Sequence, residues 1–185
     1  MLKDLIDLKI DLLRHSALGH PSPKPDPAVI REIYERDDAH HIGKTLGADN
    51  RRIQRWMKSA DDPKREEIPL DAWHLVLILT GRLPANHLSG KPPEAFIELL
   101  ELSRDPEYHK TLRPRFRPLA LGFEPPTGNE VKETFWGYST EELSRMLGRR
   151  SLAIESWMES GDEPSPIRYP AWRLFLISTA LVPAI

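Results

Sequence analysis

Six side chains in a stretch of nine carry the chemistry that stands out in this chain: Asn50, Arg51, Arg52, Gln54, Arg55 and Lys58. An arginine can donate two parallel hydrogen bonds to guanine O6 and N7, and an asparagine or glutamine can pair with adenine N6 and N7. A lysine supplies a point charge for a phosphate. From Asp49 to Lys58 there are four basic residues and one acidic residue, a local charge of +3. Ile53, Trp56 and Met57 recur at helical spacing on the opposite face, so the polar heads share one exposed side of a short amphipathic helix. The plainer alternative is a solvated, charged helix face of the kind found on many surfaces.

Such heads need a helix held at a fixed angle, and the flanking sequence provides one. Leu46-Gly47 reads as the end of a preceding helix, because glycine just past the last apolar residue takes the left-handed conformation that stops a helix. That helix is expected to start at Asp38 as its cap and to bury Ile42 and Leu46. His40 and Lys44 lie on it, within reach of phosphates. Asp49 caps the next helix, and an earlier one is expected over Pro27–Arg36, with Ile30 and Ile33 inward.

The same pattern occurs twice. Residues 25–63 align with 126–164 at an offset of 101, and 68–85 with 167–184 at an offset of 99. Among the repeated pairs are Leu46/Leu147, Gly47/Gly148, Ile53/Ile154, Trp56/Trp157 and Trp73/Trp172. Tryptophans that repeat in register are expected in a core. In the second copy Ser139 and Glu142 form a capping-box pattern, followed by Leu143 and Leu147 on the buried face. Helix, short glycine-containing turn, helix is the spacing of a helix-turn-helix.

The run Ile42-x-x-x-Leu46-Gly47-x-Asp49-x-x-x-Ile53-x-x-Trp56, with Leu143-x-x-x-Leu147-Gly148-x-x-x-x-x-Ile154-x-x-Trp157, resembles the phage-repressor (Cro/CI, XRE) helix-turn-helix family. The resemblance covers roughly residues 27–80 and 128–179. It implies a third helix that reads the DNA major groove. Ile68–Thr80 and Ile167–Thr179 depart from the family in being unusually apolar, so Leu75–Leu79 is expected to be buried on more than one side.

The copies differ where reading would occur. In the second copy the matching positions hold Ser151, Leu152, Ala153, Glu155, Ser156 and Glu159, and Arg150–Glu159 has a charge of −1. Its face is expected to serve protein contact or dimerisation, while Arg149 and Arg150 at the turn could still touch phosphates.

Between the copies, residues 90–125 read as a proline-rich, partly helical linker. Phe96, Ile97, Leu99 and Leu100 lie on an expected helix over Glu94–Ser103. Arg113, Arg115 and Arg117 alternate with Pro114, Phe116 and Pro118, which suggests an extended arm that tracks a phosphate backbone or enters a minor groove. A linker whose arginines simply stay solvated fits equally well. The amphipathic segment Met1–Arg14 could pair two chains or pack on the first copy.

The expected architecture is therefore all-α: residues 1–24 a helix and connector, 25–89 and 126–185 two helix-turn-helix domains, and 90–125 the linker. The 185 residues carry a net charge of only −2, so any basic surface is local. Cysteine is absent, which excludes disulfides and thiolate chemistry. No phosphate-cradling glycine loop, catalytic constellation or metal-ligand spacing occurs, so neither an enzyme nor a cofactor is expected. The acidic N-terminal stretch and short apolar runs point to a cytoplasmic protein without membrane spans. The expected function is a sequence-specific transcriptional regulator, most simply a repressor, that binds double-stranded DNA as a homodimer. The rival is a protein-interaction module, an inhibitor or assembly factor, on folds that no longer read DNA.

Overall fold

The structure, a computed structural model, describes residues 25–36, 43, 45–91, 94, 96, 97, 99, 106–159 and 166–183. Every regular element among them is helical. The chain divides into two compact units, Met1–Pro84 and Ala85–Ile185. Residues 90–125, read from the sequence as a partly helical linker, fall within the second unit.

In unit 1, α1 spans Pro27–Arg36, α2 Asn50–Trp56 and α3 Leu70–Leu79. In unit 2, α4 spans Pro106–Thr111, α5 Gly128–Thr134, α6 Thr140–Leu147, α7 Ser151–Met158 and α8 Tyr169–Ser178. At the repeat offsets α1 matches α5, α2 matches α7 and α3 matches α8. Residues 43, 45 and 46 are helical and match α6, and the expected Asp38 cap, Ile42, His40 and Lys44 lie outside the described residues. The Met1–Arg14 segment also lies outside them. So does much of Glu94–Ser103, of which Glu94, Phe96, Ile97 and Leu99 are described and helical.

Local sequence sets the helix ends. Asp49 Oδ1 accepts from Arg52 N at 2.6 Å and starts α2. Ser139 and Glu142 make both halves of the capping box at α6, and Thr127 and Glu130 do the same at α5. These bonds hold the Glu142 and Glu130 carboxyls below the usual carboxylate range, with the backbone amide at the cap as the main cause. Gly47 (φ 64°) and Gly148 (φ 60°) adopt the left-handed stop that the sequence requires.

The repeated tryptophans are core residues. Trp73 and Trp172 are fully buried, and Trp56 and Trp157 nearly so. Residues 71–78 and 171–178 are buried throughout, as expected for helices apolar all round. In unit 2, Phe135 packs on Phe175 with ring centroids 4.5 Å apart and on Trp172 at 6.1 Å. Tyr34, the counterpart of Phe135, is as buried, and burial pushes its hydroxyl pKa up. Arg173 is buried within α8, and burial lowers its pKa; its guanidinium donates to the carbonyls of Phe116 (3.2 Å) and Pro183 (2.9 Å). Two carbonyl acceptors offset part of the cost of desolvating that charge.

Candidate nucleic-acid interface

Helix α2 buries Ile53 and Trp56, each 2% exposed, and this fixes which of its residues face out. Asn50, Arg51 and Gln54 are exposed. Arg31 Nη2 donates to Met57 O at 2.7 Å and ties the end of α2 to α1. The exposed heads therefore sit on a braced helix directly after the Gly47 turn, where sequence reasoning placed them.

Arg52, Arg55 and Lys58 belong to the same face but are already engaged. The loop after α2 folds back so that Glu66 N donates to Arg55 O at 3.3 Å. Glu66 then places Oε1 3.0 Å from Arg55 Nε and Oε2 3.7 Å from Arg52 Nε. Arg52 also lies over the Trp56 ring, 5.7 Å from its centroid. Lys58 Nζ pairs with Asp62 at 2.8 Å, and this bond is the first cause of a lowered Asp62 pKa, with the Lys64 amide second. Two acids from one loop so reduce the +3 that the helix carries in sequence. The helical period of α2 does not point to either acid: Asp62 lies four residues past Lys58, beyond the end of the helix, and Glu66 meets Arg52 and Arg55 only after the loop turns back.

The arginine arm is a correction. Pro114–Phe116 and Leu119–Leu121 are single 3-10 turns, so residues 113–121 are not an extended strand-like arm. Arg115 is ion-paired with Glu130 and lies 4.9 Å from the centroid of the Phe116 ring. Arg117 Nε donates to Leu112 O at 2.9 Å. Phe116 in turn stacks on Trp172, with centroids 6.3 Å apart and planes 9° from parallel. Aromatic burial outweighs the alternation of arginine and proline that suggested extension. Arg115 and Arg117 hold unit 2 together, while Arg113 remains exposed.

On α7 the matching surface shows Leu152, 78% exposed, with Glu155 and Glu159 also exposed. Arg150 occupies the cap position of α7 with its side chain making no cap bond, and it is exposed; Arg149 is half-buried. Trp136, the one tryptophan that is not repeated in the other copy, is 87% exposed. Two large apolar side chains are thus presented by unit 2, and neither has an exposed apolar counterpart in unit 1, where Glu35 and Arg51 stand at the matching positions. The described residues contain no cluster suited to hold a metal ion, and no helix among them is long and apolar enough to cross a membrane. No protein-family model, curated protein or solved structure matches the chain.

Proposed function

We propose that this chain is a sequence-specific, double-stranded DNA-binding transcriptional regulator, most simply a repressor. The observation that supports it is the build of α2. Its apolar face is locked in a core, and Asn50, Arg51 and Gln54 project together from the exposed side just after the glycine turn. Those three can hydrogen-bond base edges in a major groove. Arg52, Arg55 and Lys58 then contribute to phosphate contacts only when Glu66 and Asp62 release them. Reading by one short helix covers about half a site, so two chains on a twofold-related site form the working unit. Selection of bound duplexes from a random library, followed by binding at several salt concentrations, tests this reading.

A second reading is supported by Trp136 and Leu152. Large exposed apolar side chains, Leu152 with Glu155 one turn further along α7, suit a protein partner, so unit 2 acts as an interaction module while unit 1 reads DNA. If selection enriches no sequence and the salt dependence is flat, the interaction reading takes over the whole chain.

A further inference from the structure

The end of α2 is held by a side chain where unit 2 uses backbone. Arg31, on α1, donates from Nη2 to the carbonyl of Met57 at 2.7 Å. Met57 closes α2, and its carbonyl is one of the last-turn acceptors that a helix leaves without an internal partner. A guanidinium there also complements the negative end of the helix. In unit 2 the matching residues are Lys132 and Met158. That junction is closed by Gly128, packed so tightly on the carbonyl of Glu159 that a Cβ at position 128 would overlap it. Pro27 stands at the matching place in unit 1, is buried, and carries the Cβ that forbids so close an approach.

The start of each helix shows the converse. Gly43 lets Ile53 of α2 come so near that a Cβ at position 43 would overlap Ile53 Cδ1. Ser144 stands there in unit 2, and its hydroxyl donates to the carbonyl of Arg149 in the turn. Helix α2 is thus seated by a glycine at its start and an arginine at its end, and α7 by a serine at its start and a glycine at its end. The two helices share a register in sequence but are set on their cores from opposite ends.

We propose that Arg31 is a positioning residue that sets the angle of α2 on α1 and so decides which bases Asn50, Arg51 and Gln54 reach. This inference rests on DNA reading by α2. A helix of seven residues is about 10 Å long, so a small slip at one end tilts all of it. Side chains that must meet a partner in fixed geometry tolerate errors of about 0.5 Å and 10–20°. The Arg31 bond keeps the heads of α2 inside that margin without touching a base. An exposed arginine can also serve a phosphate, and the experiment separates the two roles.

Residual dipolar couplings on the full-length chain without DNA read the angle between α1 and α2. Arg31→Ala is expected to change that angle. Arg31→Lys, which keeps a donor and its charge, is expected to restore it, and Lys132→Ala to leave α5 and α7 as they are. On a duplex selected by the wild-type chain, Arg31→Ala is expected to weaken binding about tenfold, the loss of about one base contact, with random-duplex affinity and salt slope unchanged. Arg31→Lys should recover most of that loss. Equal losses on both duplexes, with a salt slope lower by about one, overturn the proposal, because Arg31 would then be a phosphate contact. An unchanged angle in Arg31→Ala overturns it as well, whether or not any duplex is selected. A changed angle in a chain that selects no duplex upholds the brace and removes the DNA reading alone.

Discussion

Glu66 Oε1 lies 3.0 Å from Arg55 Nε, so the loop that follows α2 places a carboxylate on the helix proposed to meet DNA. Both side chains are about two-fifths exposed, so solvent screens the pair and its contribution to stability is about 0–1 kcal/mol. Its importance lies in competition: a phosphate must displace Glu66 before Arg55 is free.

Replacing that carboxylate should therefore favour non-specific binding. Glu66→Gln is expected to tighten affinity for a random-sequence duplex by about two- to fivefold and to steepen the logarithmic salt slope by about one. Fluorescence anisotropy across a salt series measures both. Weaker binding to random duplex would show instead that Glu66 positions the arginines for contact.

The repeated tryptophans are expected to be equivalent in stability. Trp73→Ala and Trp172→Ala should each destabilise their own unit by about 3–5 kcal/mol, enough to unfold a unit this small. Chemical denaturation followed by tryptophan fluorescence checks this. Wild-type stability in either variant would place that side chain outside a core.

Ala180 has φ 56°, while Gly81, its counterpart at offset 99, has φ 69°. A left-handed residue with a Cβ is strained, so Ala180→Gly should relieve it and stabilise unit 2 by up to about 1 kcal/mol. The gain should appear as a raised midpoint of thermal unfolding. A lowered midpoint would mean that the alanine side chain contributes more packing than its backbone costs.

Acid should loosen unit 2 through its capping boxes. The Glu130 and Glu142 carboxyls are held below the usual range by cap bonds in the folded state. Their contribution is present above the unfolded carboxyl pKa and is lost as pH falls through the lower folded value. Glu142→Ala should therefore flatten the acid limb of a stability–pH curve and change little between variants at the lowest pH. An unaltered acid limb would exclude this cap as a source of pH dependence.

The helical units were legible because their signals are local. Gly148 stops a helix by its own backbone conformation, Ser139 and Glu142 cap one within four residues, and the paired tryptophans announce a core by repetition. The candidate site was half legible. Asn50, Arg51 and Gln54 follow from the period of α2, with Ile53 and Trp56 inside. The neutralising Glu66 does not, because it reaches Arg52 and Arg55 only after the loop turns back. Residues 113–118 misled for a related reason: arginines alternating with prolines read as extended, while Phe116 is drawn to Trp172, far along the chain.

The most direct test of DNA reading by α2 is a matched set of titrations on one selected duplex. Arg51→Ala and Gln54→Ala should each weaken binding by about 1–3 kcal/mol and relax discrimination at one base pair. Leu152→Ala and Glu155→Ala, at the corresponding part of α7, should leave affinity nearly unchanged. Equal losses from both helices would contradict the division between the units, and no loss from Arg51→Ala and Gln54→Ala would contradict DNA reading by α2 itself.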